Sequence, residues 1–169
     1  MDVENMKREV ILTKDDIDNR CKELGQIITK DYKDKNLLVV SLMKGAFVFT
    51  ADLVRQIEVP VRIEFMTTSS YGHGKKSSGS VKFKHDLEID DLSEFDVLIV
   101  DDITDSAITM TSVINHLNMR TPKSIKSCVL LDKPSRRKVN YEPDYVGFEI
   151  EDKFIVGYGL NYGNYYRNI

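Results

Sequence analysis

Apolar positions along the chain follow two spacings, and each spacing predicts one kind of element. In three segments they recur every three or four residues, which is typical of amphipathic helices. These segments are residues 17–28, 48–57 and 108–117. Thr13 and Asp16 resemble a capping box before the first helix, and Pro60 is expected to stop the second.

Short apolar or alternating runs between these segments predict strands. We expect strands at residues 37–42, 61–66, 80–85, 96–100, 125–131, 146–150 and 154–158. The apolar run 97–100 suits a parallel strand that is buried on both faces. Because strands and helices alternate, the sequence predicts an α/β fold with a mostly parallel central sheet flanked by helices.

The composition narrows the possible functions. The 169 residues are 41% hydrophobic and 30% charged, which fits a single globular domain over residues 1–169. No apolar run approaches the ~20 residues of a membrane span, and the charged start predicts no secretory signal, so we expect a cytoplasmic protein without a membrane partner. The net charge of −3 disfavours a nucleic-acid partner. Cys21 and Cys128 form no CxxC pair and are expected to be reduced thiols.

The most informative stretch is VLIVDDITDSAITM, residues 97–110. A buried strand leads into Asp101 and Asp102, a short turn reaches Asp105, and a helix follows. Ligands of parallel sheets bind beyond the carboxyl ends of strands, and a helix start offers free N–H groups to an anion. Carboxylates beside an anion site suit a phosphorylated sugar, whose hydroxyls they can bind, together with Mg²⁺ that bridges carboxylates and phosphate.

This stretch resembles the motif with which type I phosphoribosyltransferases bind 5-phosphoribosyl 1-diphosphate (PRPP). The segments SLMKGAFVFTADLVRQI, FMTTSSYG, VLLDKPSRR and VGFEIEDKFIVGYGLNYGNYYR, in this order, resemble the bacterial hypoxanthine (hypoxanthine-guanine) phosphoribosyltransferases. The likeness runs from about residue 10 to residue 167. It implies a small hood formed by the chain termini, and a homo-oligomer, either a dimer or a tetramer.

The resemblance also implies a purine salvage reaction. PRPP and a 6-oxopurine, hypoxanthine or guanine, would give IMP or GMP and pyrophosphate, with Mg²⁺ as cofactor. In the motif, Asp101 and Asp102 would hold the ribose hydroxyls and the metal, and Asp105 would be the catalytic general base for the purine nitrogen. The complete PRPP and 5′-phosphate site would consist of Asp101, Asp102, Asp105, Ser106, Ala107, Ile108 and Thr109.

Two further regions match the pyrophosphate site of that family. Lys44 and Gly45 follow the strand 37–42 and match the loop that binds pyrophosphate, where the family often has a cis peptide bond, here between Met43 and Lys44. Arg167 matches an arginine near the pyrophosphate. Without the resemblance, the loop would be an ordinary turn from strand to helix and the arginine a terminal surface charge.

Residues 67–80, TTSSYGHGKKSSGS, are the one low-complexity stretch of the chain. Loops of this length in a compact domain are usually lids or disordered inserts. The resemblance places Ser70 and Tyr71 at the start of a flexible catalytic loop, which would exclude water from a cationic ribose centre. A disordered hairpin tip would have the same composition.

The resemblance assigns a purine pocket to the last third of the chain. Lys133 would donate to the purine 6-oxo group, and an ammonium selects that oxygen over the amino group of adenine, which is itself a donor. Phe154 would stack on the base, and the backbone of Ile155 would bond to its edge. Asn161 would face the purine 2-position.

Two residues depart from the pattern of the family. Ala107 replaces a glycine, which is tolerable at a helical φ but not at a positive φ. Asn161 replaces an aspartate that helps to bind a second metal. The departure at Asn161 leaves the preference between guanine and hypoxanthine, and the second metal, open.

Two other functions share parts of this pattern. A nucleotide-sensing regulator on the same fold would bind RNA or DNA through a basic face and could lack Asp105. A phospho-acceptor signalling domain also has an acidic pair after a strand, but near the amino terminus of its chain. Here the pair lies past the middle of the chain and a third acid follows it.

Overall fold

The computed structural model describes residues 7–70 and 81–169. The described helices are α1 (Lys14–Asp31), α2 (Phe47–Val54), α3 (Ile108–Asn118) and a short 3₁₀ helix at Pro134–Arg136. The described strands are β1 (Leu37–Met43), β2 (Val61–Ser70), β3 (Val81–His85), β4 (Asp96–Thr104), β5 (Ser124–Asp132) and β6 (Tyr145–Glu149).

The six strands form one sheet in the order β3-β2-β1-β4-β5-β6. β3 is antiparallel to β2, and all the other neighbouring strands are parallel. The expected α/β fold with a mostly parallel sheet is therefore confirmed. Within the described residues, no helix combines the length and the apolar character that crossing a membrane requires.

Apolar side chains cover both faces of the central strands, as parallel strands between helices require. In β1, Leu37 and Val39 pack with α1 and α2 on one face, whereas Leu38 and Val40 pack with α3 on the other. Cys21 and Cys128 are free and buried in the first of these two layers. The predicted capping box of α1 is present, since Thr13 and Asp16 bond reciprocally.

The register of the parallel strands brings their carboxyl ends to one edge of the sheet. Ser41 of β1 pairs with Val100 of β4, and Thr104 of β4 pairs with Asp132 of β5. Residues that follow these strands in the sequence, although 28 to 89 positions apart, therefore meet at the same edge. This is where ligands of such sheets bind.

Several predicted boundaries were wrong. The second helix ends at Val54 rather than at residue 57, and β4 continues to Thr104 instead of ending before the acidic pair. Of the predicted loop 67–80, residues 67–70 belong to β2 and pair with β3, and residues 71–80 lie outside the described residues. Residues 154–158 form no strand, because Gly157 and Tyr158 both have positive φ.

The two ends of the described chain lie together over this edge. We call the segments 7–13 and 150–169 the hood. The guanidinium carbon of Arg8 lies 5.4 Å from the ring centre of Tyr166, so the amino-terminal segment contacts the carboxyl-terminal one. The expected hood formed by the chain termini is thereby present.

Candidate active site

A cleft opens at the carboxyl ends of β1, β2 and β4. It is lined by Leu42, Met43, Gly45, Thr68, Met110 and the loop from Asp101 to Ala107 with Thr109. Six of the seven residues of the expected PRPP site line this cleft, and the seventh, Ile108, is the first residue of α3. The lining also includes Thr68 and Met110, which the sequence did not single out.

Asp101 and Asp102 lie near the carboxyl end of β4 and line the cleft. A carboxylate oxygen of Asp101 accepts from the N–H of Asp102 at 2.9 Å, and one of Asp102 accepts from the N–H of Ile103 at 2.7 Å. Burial and the neighbouring charge of Asp102 raise the pKa of Asp101 well above its usual range. Burial also raises the pKa of Asp102, against the opposing charge of Arg167. A cation that lies between these two carboxyls and an anionic ligand would favour the ionised form of both carboxyls.

The loop after β4 leads into α3 and has the geometry of a helix start that can accept an anion. Asp105 accepts from the N–H of Ser106 at 2.6 Å, and the Ser106 hydroxyl accepts from the N–H of Ile108 at 3.3 Å. Ala107 precedes α3 with a φ of 66°, and its own side chain makes no cap hydrogen bond. The open helix start can therefore donate backbone N–H groups to a phosphate. The positive φ also means that Ala107 occupies the conformation in which glycine would be unstrained.

Gly45 lies against the acidic pair. A Cβ at this position would lie 2.7 Å from the carboxyl carbon of Asp102, so a larger residue would have to displace the Asp102 carboxylate. The peptide bond between Met43 and Lys44 is cis, as expected, and the Lys44 side chain is exposed. The expected pyrophosphate loop thus lies directly beside Asp102.

Arg167 reaches the same place from the hood. Its Nη1 donates to the carbonyl of Gly159 at 2.7 Å, and the Gly159 N–H donates to the carbonyl of Arg167 at 2.8 Å. Gly159 in turn touches Gly45, because a Cβ on it would lie 3.3 Å from the Gly45 carbonyl carbon. The charge of Arg167 favours the ionised form of Asp102. The structure therefore brings Gly45, Asp102 and Arg167 together.

Lys133 follows the last residue of β5 and is almost completely buried. Its N–H donates to the carbonyl of Thr104 at 2.9 Å, and its ammonium donates to the carbonyl of Lys153. A carboxylate oxygen of Asp152 lies 3.8 Å from the same ammonium. The charge is thus held against the start of the hood, next to Phe154.

Phe154, at the start of the hood, is a large aromatic ring that is 73% exposed. One edge of it meets Tyr162 at a centroid distance of 5.7 Å and an angle of 89°. The next residue, Ile155, packs against the core. An aromatic ring with one braced edge and large exposed surface can stack on a flat ligand.

Asn161 lies in the hood, and its amide N–H donates to the carbonyl of Gly163. Ser70 ends β2, and Tyr71 lies outside the described residues.

Among residues 7–70 and 81–169, no group of three or more histidine, cysteine, aspartate or glutamate side chains could hold a metal ion alone. A metal at the acidic pair would need oxygen ligands from another source.

Comparison with known proteins decides the family. The model of the phosphoribosyl transferase domain matches residues 10–163. The chain belongs to the phosphoribosyltransferase family. The phosphoribosyltransferase is 47% identical to the hypoxanthine-guanine phosphoribosyltransferase of Aquifex aeolicus, over 99% of this chain and 94% of the relative. It is 49% identical to the hypoxanthine phosphoribosyltransferase of Haemophilus influenzae, over 95% and 91% of the two chains.

The structure of this phosphoribosyltransferase also resembles solved ones. A crystal structure of a hypoxanthine phosphoribosyltransferase from Staphylococcus aureus superposes with a TM-score of 0.92 and 44% identity, over 98% of this chain and 90% of that chain. The resemblance found in the sequence is thereby confirmed, as is the type I phosphoribosyltransferase fold. A phospho-acceptor domain, which shares only the acidic pair, is the wrong interpretation.

The sequence did not single out Arg137, which joins two parts of the candidate site. This nearly buried arginine donates to the carbonyl of Asp105 at 3.1 Å and to that of Tyr141 at 2.8 Å. Its Nη2 lies 2.8 Å from a carboxylate oxygen of Asp132, the residue before Lys133. It thus ties the loop that carries Asp105 to the turn that carries Lys133. The double arginine in VLLDKPSRR was its only signal in the sequence.

Proposed function

We propose that this chain transfers the 5-phosphoribosyl group from PRPP to hypoxanthine or guanine, giving IMP or GMP and pyrophosphate. One observation carries the proposal: the acidic pair, the start of α3 and Gly45 line one cleft. Gly159, which packs on Gly45, holds the guanidinium of Arg167 there, and the buried ammonium of Lys133 lies beside the cleft. These parts match the sugar, the phosphate, the diphosphate and the base of the two substrates. The names of the relatives support the same reaction.

PRPP would occupy the cleft with its sugar over the acidic pair. Asp101 and Asp102 would accept hydrogen bonds from the ribose hydroxyls. The 5′-phosphate would lie at the start of α3, where the helix dipole favours negative charge. Its oxygens would accept hydrogen bonds from the backbone N–H groups of residues 106–109 and from the hydroxyls of Ser106 and Thr109.

The acidic pair fits Mg²⁺. It offers hard carboxylate oxygens. Burial raises the pKa of both carboxyls, the charge of Asp102 raises that of Asp101 further, and a bound cation would lower both. No complete ligand cage exists among the described residues. That agrees with Mg²⁺, which commonly takes one or two protein carboxylates and completes its shell with water and substrate phosphates. When bound, the ion would neutralise charge on the diphosphate.

The departing pyrophosphate would be bound by Lys44, Gly45 and Arg167. As the bond from C1 of the ribose to the diphosphate oxygen breaks, the electron pair leaves with pyrophosphate and C1 becomes cationic. Cationic side chains near that oxygen stabilise the charge that develops on it. We keep Ser70 and Tyr71 as the proposed start of a closing loop that excludes water at this stage.

The purine would enter between the hood and β5. Its nitrogen attacks C1, and its proton passes to the carboxylate of Asp105. The ammonium of Lys133 would donate to the 6-oxo oxygen, Phe154 would stack on the ring, and the backbone of Ile155 would bond to its edge. Asn161 would lie at the purine 2-position.

The test is an assay of PRPP-dependent nucleotide formation with hypoxanthine, guanine, xanthine and adenine in parallel. We expect turnover of hypoxanthine or guanine, none of adenine, and loss of activity with a chelator that Mg²⁺ or Mn²⁺ restores. Efficient use of adenine would overturn the assignment of Lys133, and full activity in chelator that of the acidic pair. Binding of RNA or DNA on filters, without turnover, would instead favour the nucleotide-sensing regulator.

Three broader expectations belong to the same proposal. The chain would be one domain, would act in the cytoplasm, where its two buried thiols stay reduced, and would form a dimer or tetramer. Light scattering after gel filtration measures the oligomer, and a limited digest that leaves one resistant core supports the single domain.

A further inference from the structure

The hood contains a tight turn whose backbone is unusual at three successive residues. Gly157, Tyr158 and Gly159 have φ values of 94°, 49° and 100°. Gly157 and Leu160 exchange N–H···O bonds of 3.0 Å across the turn, and the Tyr158 N–H donates to the carbonyl of Ile169 at 2.7 Å. A tyrosine with positive φ is uncommon, and other contacts must therefore hold it.

The Tyr158 hydroxyl supplies such a contact. It donates to a carboxylate oxygen of Asp52 in α2, and the Cys21 sulfur of α1 lies 3.9 Å from it. The other oxygen of Asp52 accepts from Arg55 at 2.7 Å, so the carboxylate is fixed from two sides. Burial, followed by the bond to Asp52, raises the pKa of Tyr158, so the hydroxyl keeps its proton. The bond thus joins the hood to the two helices on one face of the sheet.

The same turn touches the candidate pyrophosphate site on its other side. Gly159 packs against the backbone of Gly45, and its carbonyl accepts from the guanidinium of Arg167. α2, which carries Asp52, starts at Phe47, two residues after Gly45. Asp52 and Gly45 are therefore parts of one rigid unit, and the Tyr158 bond fixes the hood to that unit.

We propose that the hydrogen bond from Tyr158 to Asp52 is a positioning contact for the diphosphate of PRPP, which places Arg167 beside Gly45 and Asp102. Neither Tyr158 nor Asp52 lines the cleft, so the pair acts through Arg167 rather than on the substrate. The inference rests on the proposed role of Arg167 in binding the diphosphate.

The chain offers a matched control. The Tyr145 hydroxyl donates to a carboxylate oxygen of Asp31 at 2.7 Å, the same kind of bond between a tyrosine and a helix carboxylate. Tyr145 is the first residue of β6, at the amino end of the strand and away from the cleft. Removing this hydroxyl should lower the stability of the protein and leave the hood in place.

The experiment compares Tyr158→Phe with Tyr145→Phe. We expect Tyr158→Phe to raise KM for PRPP about five- to tenfold, with kcat and KM for hypoxanthine unchanged within about twofold, since a hydrogen bond to a charged group is lost. Direct binding of pyrophosphate, by calorimetry, should weaken by a similar factor. Tyr145→Phe should lower the melting temperature and leave both constants unchanged. Equal stability loss in both variants with unchanged KM for PRPP would overturn the inference.

A second pair of variants tests the acceptor. Asp52→Asn keeps an oxygen that can accept from Tyr158, and Asp52→Ala does not. We expect the KM for PRPP to rise less in Asp52→Asn than in Asp52→Ala. Equal values of KM in the two variants and the wild type would contradict the inference, whether or not Tyr158→Phe folds.

Coupling to Arg167 separates this inference from the proposed site. Arg167→Gln alone should raise KM for PRPP, and adding Tyr158→Phe to it should raise KM no further, because both changes remove one effect. If Arg167→Gln has no effect, the proposed role of Arg167 fails. If Arg167→Gln has its effect and Tyr158→Phe has none, or if the two effects multiply, the positioning role fails and the proposed site stands.

Discussion

Gly45 and the carboxylate of Asp102 are packed so closely that the missing side chain of the glycine is part of the site. A Cβ on Gly45 would lie 2.7 Å from the carboxyl carbon. β1 and β4 are neighbouring parallel strands, so a Cβ on Gly45 would force the Asp102 side chain to rotate or the loop after β1 to shift. The glycine therefore leaves the Asp102 carboxylate the room that it occupies.

Gly45→Ala tests this contact. We expect kcat/KM for PRPP to fall by about 10²-fold, because a displacement of about an ångström in a catalytic site has effects of this size. Gly25→Ala is the control, since a Cβ there would lie 2.8 Å from the carbonyl carbon of Gln56, far from the cleft. That variant should lose stability and keep its kcat/KM. Unchanged kinetics in Gly45→Ala would show that Asp102 moves away without consequence.

Asp105→Asn tests the general base. An amide oxygen can still accept from the Ser106 N–H, so the loop should keep its conformation. We expect binding of PRPP to remain within a few-fold of wild type and kcat to fall by about 10²–10⁴-fold, as is usual when a general base is removed. Steady-state kinetics together with calorimetric titration of PRPP measures both. A kcat equal to that of the wild type would make Asp105 a structural residue of the loop.

Ala107→Gly tests the left-handed residue before α3. An L-residue in this conformation is strained by about 1–2 kcal/mol, and the greater freedom of an unfolded glycine offsets part of that, so we expect a gain of about 0.5–1 kcal/mol in the free energy of unfolding. Urea denaturation measures it. Asp34→Gly is the control, since Asp34 has a φ of 61° in an exposed turn outside the site. A loss of stability in Ala107→Gly alone would mean that contacts of the buried methyl group outweigh the strain.

Asn161→Asp tests purine preference. A carboxylate accepts from the amino group of guanine more strongly than an amide oxygen, by roughly 1.5–3 against about 1 kcal/mol, so the ratio of kcat/KM for guanine over hypoxanthine should rise about tenfold. The carboxylate cannot donate to the Gly163 carbonyl as the amide does, which frees it to face the base. The Mg²⁺ concentration for half-maximal activity should also fall. If neither quantity moves, Asn161 contacts neither the base nor a metal.

Asp86→Asn tests an ion-pair network in which Asp86, directly after β3, bonds to His116 and Arg120. Burial raises the pKa of Asp86, but hydrogen bonds from His116 and the Leu87 N–H and the charge of Arg120 outweigh it, so the pKa lies below its ordinary value. The network therefore contributes stability above the ordinary carboxyl pKa and loses it as the pH falls through the lowered one. We expect Asp86→Asn to be less stable by about 1 kcal/mol at neutral pH, and this difference to vanish in acid.

Urea denaturation between about pH 7 and about pH 2.5 measures that difference. The exposed Asp90 provides the control, because Asp90→Asn should leave stability nearly unchanged over the whole range. A stability difference for Asp86→Asn that does not depend on pH would show that packing of the side chain matters, and not its charge.

Elements whose stability is encoded locally were predictable from the sequence. The capping box and the periodic apolar residues of α1, and the apolar run of β1, lie within single segments, and the structure has both elements there. The continuation of β4 to Thr104 was missed because it depends on pairing with β5 up to Asp132, which no local pattern records.

The candidate site, too, was predictable where its residues form one contiguous segment and not where distant contacts hold them in place. The loop from Asp101 to Thr109 is contiguous and carries its own pattern, so its residues could be named in advance. The strand predicted at residues 154–158 failed, because Gly157 and Tyr158 are held in positive φ by partners at residues 52 and 169. Arg137 escaped notice for a related reason, since its carbonyl partner on Asp105 is 32 positions away.

The exposed ring of Phe154 separates affinity from selectivity. Every purine has the same flat face, so a ring that stacks on it binds them all and discriminates among none. In the proposed function the choice among purines would then fall to the ammonium of Lys133, which donates to the Lys153 carbonyl, one residue before the ring itself. Under the proposed function, the start of the hood would therefore present the surface that attracts a base and would hold, through the Lys153 carbonyl, the ammonium that distinguishes one base from another.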